Sequence, residues 1–143
     1  MEIKDFITDK DISIRMKELG FPQESLFYWL KPRLFAQHYP WRVVSNGFPL
    51  PWNKEYLFSA PTASEIIKKF PPGVDMGKQM IPFYIIYGNN GSEYYCGLEC
   101  IHDEHICNND CQQENFCKIN KFGETFENAL GSMWIYLKEN KLI

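Results

Sequence analysis

TFENALGSMWIYLKEN, residues 125–140, is the stretch on which the reading of the fold turns. Phe126, Ala129, Leu130, Met133, Trp134 and Leu137 recur at i, i+3, i+4, i+7, i+8 and i+11, so a helix over 125–140 carries one wide apolar stripe. Lys138, Glu139 and Lys141 keep its end in water. Such a stripe is core and must be buried against another layer; it is not a cofactor-binding face.

The layer lies upstream. Residues 80–87 are rich in β-branched and aromatic side chains, Asn89-Asn90-Gly91-Ser92 is a turn signal, and 93–101 is the returning strand. A third strand is expected over 115–120. In the first half, residues 9–19 form a helix with Ile12, Met16 and Leu19 on one face. Thr8 or Asp9 caps it, Thr8-x-x-Asp11 resembles a capping box, and Gly20 stops it. Thr62-Ala63-Ser64-Glu65 opens a second helix, which Pro71-Pro72-Gly73 ends, and a loop follows through Lys78. Residues 25–31 read as a strand. Residues 32–57 are irregular, with a short strand at 42–45 that pairs beyond the Asn46-Gly47 turn. The expected fold is α+β: a small antiparallel sheet of about three to five strands packed against an amphipathic C-terminal helix and two shorter helices. One domain covers 1–143, its first half (1–79) helix, short strands and loops, its second (80–143) hairpin, Cys-rich loop and closing helix.

Composition bounds the function. The 143 residues are 45% hydrophobic and 23% charged, ordinary values for a globular domain. The net charge of −3 speaks against broad nucleic-acid binding, which needs Lys and Arg to neutralise phosphates. Lys68, Lys69 and Lys78 read as scattered surface charges rather than a basic patch. No stretch approaches the ~20 apolar residues of a membrane span, and Met1-Glu2-Ile3-Lys4-Asp5 is not followed by an apolar run, so a cytoplasmic location is expected. There the five cysteines are thiols or metal ligands rather than disulfides.

No Gly-rich phosphate loop, G-x-S-x-G or H-E-x-x-H is present, and His38 has no recognisable partner. His102-Asp103-Glu104-His105 reads as a solvated polar loop, and neither Cys100 nor Cys107 stands at a nucleophile spacing from His102 or His105. Catalytic residues are therefore not expected. Aromatics reach 16% and crowd the first half. They fill the core, or else Trp29, Trp41, Trp52 and Tyr56 anchor a protein partner, since Trp and Tyr are enriched at interaction hot spots.

Three segments carry a family resemblance: Ile14-Arg15-Met16-Lys17-Glu18-Leu19-Gly20-Phe21, then Ser59-Ala60-Pro61-Thr62-Ala63-Ser64-Glu65, then residues 128–140, NALGSMWIYLKEN. Together they resemble a group of small phage and prophage accessory proteins, with an "RMKELGF" first helix, an "APT" helix start and a closing "MWIWLKEN" helix. The resemblance implies a genetic context and no particular chemistry. The chain departs from the group between hairpin and last helix, where it is longer and contains Cys100 to Cys117.

That region reads C-x3-C-x-H-x2-H-x-C-x3-C-x5-C from Cys96 to Cys117. If 93–101 is extended, Cys96 and Cys100 stand about 13 Å apart at ~3.3 Å per residue and cannot share an ion. Cys96 is then a half-buried strand cysteine. The candidate zinc ligands are Cys100, Cys107 and Cys111, with Cys117, His102 or His105 as the fourth, and a structural site would staple a long polar loop. The other reading is a loop of free, partly buried thiols, because no C-x2-C knuckle is present.

The expected function is a non-enzymatic accessory protein that binds another protein, such as a host defence machine of the CRISPR effector kind. The alternative is a zinc-stapled module that binds nucleic acid locally through Lys118 and Lys121. Metal content separates the two readings of the loop. Protein purified without added metal should hold about one equivalent of zinc if the site is structural. Less than about a tenth of an equivalent leaves free thiols.

Overall fold

A computed structural model describes residues 2–32, 40–47, 54–75, 80–100 and 119–143. The closing helix, here α3, spans Phe126–Glu139. Thr125 caps it, its hydroxyl accepting the Asn128 N–H at 3.2 Å. Ala129, Leu130, Met133, Trp134 and Leu137 are all buried, as the stripe requires.

The first helix, α1 (Lys10–Glu18), is capped by Asp9, whose carboxylate accepts the Ile12 N–H at 2.9 Å. Thr8 is not the cap: its hydroxyl shares a buried 2.7 Å hydrogen bond with Ser13 instead. Gly20 adopts φ +86°, the left-handed conformation that lets the chain turn out of the helix. The second helix, α2 (Ala63–Ile67), has the expected capping box: Glu65 accepts the Thr62 N–H at 2.8 Å and donates its own N–H to the Thr62 hydroxyl at 3.4 Å.

The strands form two antiparallel sheets where the sequence suggests one. The first has the order β2-β1-β3, from β1 (Phe27–Leu30), β2 (Arg42–Ser45) and β3 (Leu57–Ser59). Residues 42–45 do form a strand, and it pairs with β1, placing Phe27 opposite Ser45; the stretch at 48–53, where a hairpin partner is expected, lies outside the described residues. The second has the order β4-β5-β6-β7, from β4 (Gly73–Asp75), β5 (Met80–Asn89), β6 (Tyr94–Cys100) and β7 (Asn120–Gly123). The 73–75 strand occupies a segment that reads as loop, because Pro and Gly mask a pairing decided by its neighbour. The last described strand covers 120–123 and runs almost into the cap of α3; most of the strand expected over 115–120 lies outside the described residues. The 89–92 turn is as read: the Asn90 side-chain oxygen accepts the N–H groups of Ser92 and Glu93, and Gly91 stands at φ +98°.

The main core lies between the three helices and one face of the second sheet. It joins Met16 and Phe21, Ile66, Cys96 and Leu98 to the α3 stripe. Phe21 meets Trp134 edge-on at 5.0 Å between ring centroids. A smaller cluster of Ile7, Trp29 and Ala60 holds the first sheet, with Phe27, Trp41, Val43 and Phe58 against it.

α1 packs closely against α3 at Gly131. A Cβ there would stand 2.6 Å from Ile12 Cγ2 and 3.2 Å from Thr8 Cγ2. Glycine in mid-helix is unfavourable by about 1 kcal/mol, so its presence marks this packing. Gly131→Val should destabilise the protein by about 1–3 kcal/mol through overpacking, read as a lower midpoint in urea. An unchanged midpoint would mean that α1 does not cross α3 here.

Candidate functional site

The register of the second sheet sorts its side chains onto two faces. Ile85 stands opposite Leu98, and Tyr87, Cys96 and Lys121 share a row. Residues paired across antiparallel strands point to the same side. Leu98 and Cys96 are buried in the main core, so these rows form the inner face. Consistently, Lys121 places its ammonium 4.2 Å from the Tyr136 ring of α3, and Tyr87 and Tyr94 meet Phe126 at 5.6 and 4.3 Å.

The alternate rows are Ile86-Gly97-Asn120 and Gly88-Tyr95-Phe122. They form the outer face, where Ile86 is 38% and Phe122 51% exposed. Its relief is low because two of its positions are glycines. A Cβ on Gly88 would fall 2.8 Å from the Tyr95 hydroxyl, so the tyrosine ring lies across the bare strand beside it. Glu93 and Glu124, just beyond the paired Tyr94 and Gly123, lie in bends outside the strands, and both are exposed.

The residues singled out from sequence fall elsewhere. Cys100 is the last residue of β6, while His102, His105, Cys107, Cys111, Cys117 and Trp52 lie outside the described residues, as do His38, Lys78 and Lys118. Among the described residues no group of three His, Cys, Asp or Glu side chains is placed to hold a metal ion. Trp29 corrects the partner-binding reading for its position. It is 8% exposed, and its indole N–H donates to the Thr8 carbonyl at 2.9 Å, so it packs and pins the core. Trp41 is half-buried, with its ring 5.5 Å from Phe58 and the Lys10 ammonium 5.6 Å away. Tyr56 is half-buried too, and its carbonyl accepts the Lys31 N–H at 2.8 Å.

The buried polar side chains serve the fold. Thr8 bonds Ser13, Ser25 donates to Glu65 at 3.1 Å, and Ser59 takes part in a reciprocal pair with Gln23 at 3.1 Å. Asn128 accepts the Asp9 N–H at 2.8 Å. Among the described residues, no helix is long and apolar enough to cross a membrane.

Cys96 is fully buried, not half-buried, because its row faces α3. Burial pushes its thiol up to about 12, since a thiolate in the core would lack solvation. The thiol therefore stays protonated when folded at pH values where the unfolded chain ionises it, and stability from this group is lost as pH rises from about 9 towards about 12. Stability should fall more steeply over that range in the wild type than in Cys96→Ala, measured by urea melts at several pH values. Equal slopes would contradict the buried placement. Comparison with protein-family models, with curated proteins and with solved structures finds no match to this chain.

Proposed function

We propose that this chain is a non-enzymatic accessory protein of the phage type that acts by binding another protein, its target a host defence machine such as a CRISPR effector. The observation that carries the binding reading is the outer face of the second sheet. Ile86 and Phe122 stay exposed there, while Cys96 and Leu98 of the opposite face are buried in the main core. Exposed apolar side chains grouped on one surface mark interaction sites more often than scattered ones do. The phage context is supported by the three resembling segments, and the choice of target by the net charge of −3, which suits a basic nucleic-acid groove.

The reading is tested by capture and by phenotype. Tagged protein cross-linked in a bacterial lysate should retain a discrete host partner at near-stoichiometric amount, and its expression should raise the plating of a phage restricted by that partner. Absence of both a retained partner and any change in plating would overturn the proposal.

A further inference from the structure

Two Asn-Gly pairs stand in turns of this chain, Asn46-Gly47 directly after β2 and Asn90-Gly91 between β5 and β6. In such a pair the glycine nitrogen can reach the asparagine side-chain carbonyl carbon, because no Cβ stands in its way. The fold treats the two pairs differently. The Asn90 side-chain oxygen accepts the Ser92 N–H at 3.1 Å, the Ser92 hydroxyl at 3.1 Å and the Glu93 N–H at 2.9 Å. The Gly91 N–H donates to the Asn89 side-chain oxygen at 2.6 Å. Electrophile and nucleophile are thus both tied in place, as in other turns built on an asparagine side chain. Asn46 is anchored through its main chain, whose N–H donates to the Leu26 carbonyl at 2.9 Å. Asn46 and Gly47 are both exposed, and among the described residues neither the Asn46 carboxamide nor the Gly47 N–H has a hydrogen-bond partner. A Cβ on Gly47 would meet nothing within 4 Å, so the space around the nitrogen is open.

We infer that Asn46-Gly47 is a spontaneous modification site, converting to isoaspartate and aspartate in the folded protein, while Asn90-Gly91 is protected. The Gly47 nitrogen gives its proton to a solvent base and adds to the Asn46 side-chain carbonyl carbon. The new C–N bond closes a cyclic imide as the bond to the side-chain nitrogen breaks, and that nitrogen leaves as ammonia with a proton from water. Water then adds to one of the two imide carbonyls and opens the ring. Opening at the side-chain carbonyl gives aspartate, and opening at the main-chain carbonyl gives isoaspartate. Nothing is oxidised or reduced, and water is the co-reactant. Either product carries one negative charge more than the chain's −3. Isoaspartate also routes the main chain through the former side chain. It lengthens the chain by a methylene just after β2, next to the pairing of Ser45 with Phe27. For Asn90 the same attack first requires the side chain to leave its three hydrogen bonds and the Gly91 N–H to leave its own. Each such bond lowers the population of the reactive arrangement.

The test is peptide mapping by mass spectrometry after incubation at mildly alkaline pH, with the time course followed at both sites. Trypsin separates them into peptides 43–54 and 79–118, and fragment ions place each amide-to-acid mass change. In the folded protein Asn46 should convert at least about tenfold faster than Asn90, the factor that opening one or two hydrogen bonds supplies. In concentrated urea, where the turn's hydrogen bonds are lost, the two rates should converge. The double variant Asn89→Ala/Ser92→Ala removes two of the side chains that tie the Asn90 turn and should speed conversion of Asn90 in the folded state. Gly47→Ala fits the open space at its position and should slow conversion of Asn46, because a methyl group then crowds the attacking nitrogen. These substitutions sit at exposed positions, and an unaltered urea midpoint confirms that each variant remains folded. Equal rates at the two sites in the folded protein overturn the inference. An Asn46 that converts only after unfolding does so too, as does an Asn90 rate that the double variant leaves unmoved.

Discussion

Thr8 is completely buried, and each polar group it carries is bonded to a different part of the chain. Its N–H donates to the Pro61 carbonyl at 3.1 Å, its own carbonyl accepts the Trp29 indole N–H at 2.9 Å, and its hydroxyl is shared with Ser13 at 2.7 Å. One residue later, the Asp9 N–H donates to the Asn128 side chain at the start of α3. Four parts of the chain therefore meet at one short segment: the first sheet, α1, the entry to α2, and α3. A buried donor or acceptor left without a partner costs about 1–3 kcal/mol, so this junction tolerates little displacement of any of them. With it in place, α1 lies against Gly131, and the hairpin sheet has a helical surface to cover its inner face.

Residues 14–21, 59–65 and 128–140 turn out to be neighbours in space. Arg15 donates through Nε and one terminal nitrogen to Glu139 at 2.9 and 2.7 Å, and Phe21 stacks edge-on against Trp134. Lys17 donates to the Leu57 carbonyl at 2.8 Å while its ammonium lies 4.4 Å from the Phe58 ring, tying α1 to the strand before Ser59. Ala60 and Pro61 are fully buried, Thr62 caps α2, and Glu65 accepts the Leu26 N–H at 2.9 Å, joining that cap to the approach of β1. Strings such as RMKELGF and NALGSMWIYLKEN are thus two sides of one interface. Their physical content is packing, which is why they inform the fold and say little about chemistry.

The aromatic-rich first half and the hairpin exchange the roles that composition suggests. Trp29, Trp41 and Phe58 are drawn into the smaller cluster because the first sheet is short and needs large side chains to bury enough surface. The second sheet instead leaves Ile86, Tyr87 and Phe122 substantially exposed. Its inner face already meets α3, and a two-residue alternation places every second side chain on the opposite side. The candidate surface was legible in the sequence only as that alternation, which by itself does not say which side is wet. Pairing Tyr95 with Phe122 and Gly88 is what assembles one face from three strands.

Sequence alone determined the elements that local chemistry dictates. These are the stripe of α3, the capping box at Thr62 and Glu65, the stop at Gly20, the Asn-Gly turn of the hairpin, and the α+β class that follows from them. Each depends on a period or on a backbone preference within a few residues. Only the tertiary structure decided the rest: that there are two sheets, that residues 42–45 pair with β1, that 73–75 joins an edge, that Thr8 is a buried junction rather than a cap, and that Cys96 lies in the core. Those outcomes depend on hydrogen bonds and contacts between residues tens of positions apart. The partner of a strand or of a buried hydroxyl is set by which distant segment arrives beside it, and no local pattern records that.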